Sequence, residues 1–311
     1  MRKIISQLKQ FAQEDFNWKV YLTVGLFLII SLILNYQFGL TDAYVYGQPN
    51  APKKFLAWLV LMGVPYLFVL GAQAMFGQSA PGVKTWAFWR LFLVAMLMIC
   101  ITATFPYHRD LSRYLFPRQL YRWSGLVFWN LKRVIFMFIP MLIYWFTFQR
   151  KENRFYGMFE KPKNLMPYFV MLLIMLPIVA IASFSPSFIK AYPQYMPGNG
   201  EVRLGISKWL TCGIFEAVYG FDFILVELMF RGFLVIGLVK ILGTRAILPM
   251  VAMYCFLHFG KPAGEAIGSI FGGLILGIVA YYGKNIWGGV VVHLGIAWMM
   301  EAAAHLQRGL G

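Results

Sequence analysis

Acidic side chains are scarce in this chain: 12 Asp and Glu stand against 28 Lys and Arg in 311 residues, and the four charged types together make up only 13%. That is too little polar surface to coat a soluble globule, which excludes a water-soluble enzyme or binding module of ordinary composition. Cysteine is also rare. Cys100, Cys212 and Cys255 are odd in number, sit inside apolar runs and lack C-x-x-C spacing, which argues against a disulfide framework and against a zinc site. No H-E-x-x-H pair occurs, so no metal ligand set is expected and no cofactor is predicted. The net charge of +16 has no basic, aromatic-rich polar domain to carry it, so nucleic acid is excluded as a partner. Its basic residues are scattered through the short segments between apolar runs, where they meet lipid headgroups, and the bilayer is the expected partner.

Apolar residues supply the rest. At 60% hydrophobic and 18% aromatic, with a mean hydropathy of +0.65, the chain has material for several bilayer crossings. The expected fold class is all-α, a polytopic integral membrane bundle of about eight to ten transmembrane helices. Apolar runs fall near 19–35, 55–76, 88–105, 133–148, 166–184, 209–226, 228–242, 246–259, 265–282 and 285–304. Several are shorter than the roughly 20 residues of a straight crossing, so tilting, or fusion of 209–226 with 228–242, is expected. The first run follows a basic amphipathic segment, 1–18, and no convincing small-residue cleavage site follows it, so it reads as a retained anchor.

Two basic stretches lie in the N-terminal half. Residues 106–133 interleave Arg109, Arg113, Arg118, Arg122, Lys132 and Arg133 with aromatic and aliphatic side chains, the pattern of a helix lying in the membrane interface, broken at Pro117. A lipid-facing connector is the plainer reading of it than a substrate platform. The second stretch, 149–164, is also basic, so the charge bias gives no clean orientation. Residues 185–208 carry Pro186, Pro193, Pro197, Gly198, Gly200 and Gly205, a non-helical connector. The expected division is therefore a 1–18 segment, transmembrane helices over 19–184, a connector at 185–208 and a C-terminal core over 209–311.

That core holds the chemistry. Glu227 and Arg231 are one helical turn apart in an otherwise apolar run, at the i,i+4 spacing that pairs them on one face. A charge within a membrane span costs at least ~2.5–3.5 kcal/mol on insertion scales, so such residues are functional candidates by default. A self-satisfied pair pinning two helices together would also justify burying them. His258 and His293 lie in later apolar segments, and two intramembrane histidines beside a Glu and an Arg point to a polar cavity rather than to packing alone.

These residues resemble the CAAX-prenyl-endopeptidase and bacteriocin-self-immunity superfamily of intramembrane proteases. Its pattern is E-E-x-x-x-R on one helix, aromatic-x-x-x-His on a second and His-x-x-x-Asn (or Asp) on a third. The matching segments are Val226-Glu227-Leu228-Met229-Phe230-Arg231, Tyr254-Cys255-Phe256-Leu257-His258 and His293-Leu294-Gly295-Ile296-Ala297, within about Phe215 to Ala304. The resemblance implies hydrolysis of a peptide bond near the C-terminus of a membrane-associated peptide or protein. It implies further that His258 orients or deprotonates water, that His293 donates to the oxyanion, and that Arg231 holds Glu227 ionised. It leaves a metal at the histidines open, implies an integral membrane location and favours a bacterial cytoplasmic membrane.

Two positions depart from the pattern: Val226 stands where the first acidic residue belongs, and Ala297 where the oxyanion Asn belongs. A lost base removes ~10²–10⁴-fold and a lost oxyanion donor ~10²–10³-fold in rate. Helical spacing names three carboxylates that could replace them: Asp222, one turn before Val226; Glu301, two turns after His293; and Glu265, in the connection after His258. Taken one at a time, each has a plainer structural reading, Asp222 and Glu301 near the interface and Glu265 favoured at a helix start. Two functions therefore stand side by side: a CAAX-protease-like endopeptidase, or a catalytically inactive relative that serves as a membrane binding, immunity or scaffold protein. A proton-coupled transporter is a weaker third, because the N-terminal half has no counterpart to the Glu and His set.

Overall fold

Inside a bilayer each backbone N–H and C=O must be satisfied within the chain, which leaves helices as the standard solution for a sequence of this kind. The computed structural model describes residues 1–162 and 164–310, and all regular elements among them are helical. In chain order these are α1 (Arg2–Asp15), α2 (Trp18–Phe38), α3 (Ala51–Met75), α4 (Trp86–Thr104), α5 (His108–Leu115), α6 (Arg118–Gln149), α7 (Met166–Ala182), α8 (Lys208–Glu227), α9 (Ile247–Leu257), α10 (Ala263–Gly283) and α11 (Trp287–Leu310), with shorter turns between them. Helices α2, α3, α4, α6, α10 and α11 are long and apolar enough to cross a membrane. Helix α7 is a shorter apolar helix that packs on α11, and the 20-residue α8, with its Lys208, Glu216, Asp222 and Glu227, packs on α6 and α11. The chain is an integral membrane protein.

Local sequence sets the helix ends. Asn17, Asn50 and Thr85 cap α2, α3 and α4 by accepting from the backbone N–H of Lys19, Lys53 and Phe88. The outer helices turn apolar side chains outward, as on α2, where Ile29 and Ile30 are each 54% exposed, a surface that only lipid covers at low cost. The amphipathic expectation for residues 1–18 matches α1, which buries Ile4, Gln7 and Phe11 along one face and packs against α10.

The innermost layer is α9, with ten of its eleven residues buried between α3 and α10. Beside it lies the largest difference from the sequence reading. The apolar run at 228–242 forms no continuous span: Leu228–Phe233 is π-helical, Ile236–Leu238 and Gly243–Ala246 are 3-10 turns, and Val239–Leu242 is one short helical turn. Non-α backbone is tolerated at membrane depth where protein surrounds it, and all six residues of the π segment are buried. The Gln149 Nε2 amide donates to the Gly237 carbonyl at 2.7 Å, satisfying a group the broken helix would otherwise orphan.

The second basic stretch supplies the packing for this segment. Phe155 and Tyr156 are fully buried at φ of 46° and 53°, and Gly157 follows at φ 80°, where a Cβ would lie 2.6 Å from the Lys284 carbonyl oxygen. Tyr156 in turn stacks edge-on against Phe233, with ring centroids 5.1 Å apart. The connector at 185–208 is less irregular than its Pro and Gly content implies, since Pro186–Ala191 and Asn199–Arg203 each form a short helix. Chain breaks at Pro117 separate α5 from α6, as the sequence implies.

Candidate active site

Glu227 ends α8 at the point where the π segment begins, and this placement decides which groups it meets. A π turn widens the helix and re-aims the residues after it, a device common at functional sites. Arg231 still reaches back one turn, and its Nη1 donates to Glu227 Oε1 at 2.8 Å with both side chains at most 1% exposed. The same oxygen accepts from His293 Nδ1, on α11, at 2.9 Å. A carboxylate only accepts, so His293 carries its proton on Nδ1 and turns Nε2 toward its other neighbours. One neighbour is the Tyr254 hydroxyl, 3.2 Å away. Among the described residues, Glu227 Oε2 has no hydrogen-bond partner, nor do Arg231 Nε and Nη2.

Tyr254 of α9 is the hub between these groups. Its ring lies under the Arg231 guanidinium, with Cζ 4.2 Å from the ring centroid, and stands edge-on to His258 with centroids 4.6 Å apart. His258 Nδ1 donates to the Tyr254 carbonyl at 2.8 Å. This fixes the opposite tautomeric face: His258 Nε2 holds the free lone pair and makes no hydrogen bond among the described residues.

His258 and His293 both line a cavity of about 840 Å³ that is walled by α3 to α6 on one side and by α8 and the end of α9 on the other. Val226 also faces this cavity, so the position where the resembled pattern has its first carboxylate presents an isopropyl group. Ala297 does not line it and packs with Tyr195, Phe215, Tyr219 and Phe223. His108, on α5 outside the spans, borders the same space. Burial, helped by the Lys132 and Arg109 cations and opposed by the Phe105 carbonyl, holds its pKa below the ordinary 6.5.

The other carboxylates singled out from sequence are held elsewhere. Asp222 lines the cavity but is ion-paired with Arg133 of α6. Glu265 accepts from the Tyr192 hydroxyl at 2.9 Å and faces Lys261 Nζ at 3.4 Å. Glu301 accepts the Gln194 backbone N–H with both oxygens, at 3.0 and 3.1 Å. None of the three hydrogen-bonds to His258 or His293 among the described residues. The structure thus brings together Glu227, Arg231, His293, Tyr254 and His258, and leaves Asp222, Glu265 and Glu301 as supports of neighbouring segments. Among the described residues, no three His, Cys, Asp or Glu side chains converge as a metal ligand set.

Sequence reasoning missed Gly289. It lies one turn before His293 on α11, and a Cβ built there would collide with Glu227 Oε2, so the glycine is what lets the carboxylate approach that helix. The Gly288-Gly289 pair at i−5 and i−4 from His293 was the available signal.

Residues 204–299 match the family model described as Type II CAAX prenyl endopeptidase Rce1-like, a stretch that contains Glu227, Arg231, His258 and His293 and agrees with the superfamily resemblance of those residues. Comparison with curated proteins and with solved structures gave no match.

Proposed function

We propose, on the premise that residues 204–299 are an Rce1-like domain, that the protein is a CAAX-protease-like intramembrane endopeptidase acting on a membrane-associated peptide. The observation that carries this reading is that the buried Glu227 carboxylate bridges Arg231 and His293, and that His293 lines a cavity that His258 also lines. A dyad that only pinned two helices would have no need of a second histidine with a free ring nitrogen on the same cavity.

In this reading His258 Nε2 takes a proton from water as the water oxygen attacks the scissile carbonyl carbon. His293, as an imidazolium with its Nδ1–H on Glu227, turns Nε2–H to the developing oxyanion, and the buried carboxylate stabilises that charge. Collapse of the tetrahedral species breaks the C–N bond, and His258 returns its proton to the departing amine. Arg231 fixes Glu227 in place, and Tyr254 is a positioning residue that spaces the two imidazoles. His258 then serves where Val226 offers no base, and His293 is the oxyanion donor that remains with Ala297 in place of Asn.

A second reading, a relative that binds a membrane peptide or partner without cleaving it, is favoured by Val226 on the cavity wall and by the lack, among the described residues, of any carboxylate hydrogen-bonded to His258. One experiment separates the two. The purified full chain in lipid vesicles is incubated with a prenylated peptide, and cleavage is read by mass spectrometry for wild type, His258→Ala and Val226→Glu. Cleavage by wild type that His258→Ala removes supports the endopeptidase. An inert wild type beside an active Val226→Glu variant supports the binding relative.

A further inference from the structure

The cavity that holds the histidines has a second character that hydrolysis does not use. Seven Lys and Arg side chains line it against one carboxylate, Asp222. Asp222 is already paired with Arg133, Arg113 has Asp110, and Lys261 has Glu265. Lys54, Arg109, Arg122 and Lys132 remain, and none of them makes an ion pair among the described residues. Arg109 and Arg122 are exposed and Lys54 is half-buried, so water screens these three, but Lys132 is buried beside them, where an anion entering the cavity would offset the repulsion.

Lys132 gives the clearest sign. Its side chain is 5% exposed, and its Nζ is buried with no hydrogen-bond partner. The ammonium lies 3.3 Å from the centroid of the Trp129 ring, which holds it at the cavity wall by a cation–π contact while leaving its N–H donors unused. A buried ammonium with idle donors is costly unless a ligand completes it. Trp58, Ile99, Met137 and Leu257 add apolar wall beside the cations, so the space suits a molecule with a charged head and an apolar body.

We propose that this cavity binds a phosphate-bearing ligand, with Lys132 as its buried anchor and Arg109, Arg122 and Lys54 as the remaining donors. A phosphate monoester carries close to two charges and three strong acceptor oxygens, which matches several separate cations; a carboxylate offers two oxygens and one charge. The phosphate arrives either as the headgroup of an anionic lipid or as the free ion. The proposal stands apart from the hydrolytic reading, because it is read as equilibrium binding.

The test uses the full chain in phosphatidylcholine nanodiscs and dioctanoyl phosphatidic acid as probe, followed by native mass spectrometry and by Trp fluorescence. Charge-assisted hydrogen bonds predict that Lys132→Met weakens binding about 10- to 100-fold, that Lys132→Arg retains it, and that Lys9→Gln, outside the cavity, leaves it unchanged. The doubly substituted Arg109→Gln/Arg122→Gln protein changes two exposed side chains and keeps the test open should Lys132→Met fail to fold. Displacement of the probe by millimolar inorganic phosphate assigns the site to the free ion, and its failure to displace assigns the site to the lipid headgroup. Phosphatidic acid binding that survives both the Lys132→Met and the double variant, or octanoate binding as tightly as phosphatidic acid, overturns the proposal.

Discussion

Glu227 and His293, 66 positions apart in the chain, share a hydrogen bond of 2.9 Å from the His293 Nδ1–H to Glu227 Oε1, in a place where the carboxylate is fully buried. The bond joins the end of α8 to the second turn of α11, so the site depends on how those two helices pack as much as on the two side chains.

Gly289 makes this approach available, which gives the first prediction. Gly289→Ala puts a methyl group onto Glu227 Oε2 and forces the carboxylate or α11 to move, an overpacking that costs about 1–3 kcal/mol and displaces His293. Peptide cleavage and thermal stability in detergent should both fall. Gly268→Ala on α10, where a Cβ meets nothing within 4 Å, is the control and should leave both unchanged.

Arg231 is the counter-charge of a buried carboxylate. Removing one member of a buried pair strands the other and costs about 3–5 kcal/mol, whereas neutralising both costs far less. Arg231→Met should therefore lower the unfolding midpoint strongly, and Glu227→Gln/Arg231→Met should recover most of it. Neither protein should cleave peptide. A double variant as unstable as Arg231→Met would show that packing of the side chain, not its charge, matters at 231.

The two histidines have different parts in the reaction, and each should be needed for it. His258→Ala should lower the rate by ~10²–10⁴-fold, as for loss of a general base. His293→Ala removes the oxyanion donor and should lower the rate by ~10²–10³-fold.

Outside the membrane-spanning helices, Glu201 accepts from the Tyr195 hydroxyl at 2.6 Å and from the Gly198 N–H at 3.0 Å. Burial alone would raise its pKa, but these donors and the Lys208 charge outweigh it and hold the group below its ordinary 4.5. A depressed carboxylate pKa stabilises the fold at pH above the ordinary value and loses that contribution as pH falls through the folded value. The protection factor of the Gly198 N–H against hydrogen exchange should therefore fall on acidification below about 4.5, and Glu201→Gln should abolish that acid-dependent loss.

Much of the site was legible in the sequence because charge is conspicuous in apolar runs: Glu227, Arg231, His258 and His293 stand out there for the same reason that burying them is costly. The π segment after Glu227 was not legible, since Leu228–Phe233 reads as equally apolar whether its backbone follows α or π geometry. The cationic wall was hidden in the sequence for a related reason. Residues 106–133 carry the composition of a lipid-facing connector, yet Arg109, Arg113, Arg122, Lys132 and Arg133 line the cavity. Periodicity identifies a helix face but not what lies opposite it, and Asp222, the partner of Arg133, is 89 residues away. The carboxylates Glu265 and Glu301 showed the converse: near the histidines along the chain, they hold Tyr192 and the Gln194 backbone instead.

The most direct test of the hydrolytic account is a single-turnover cleavage of a prenylated peptide by the full chain in lipid vesicles, run in oxygen-18 water beside Glu227→Gln. The account predicts one oxygen-18 in the new carboxylate of the wild-type product and a Glu227→Gln rate lower by two or more orders of magnitude, with the variant folded. Wild-type cleavage that Glu227→Gln leaves untouched, or no cleavage by a folded wild-type protein that still binds the peptide, would contradict it.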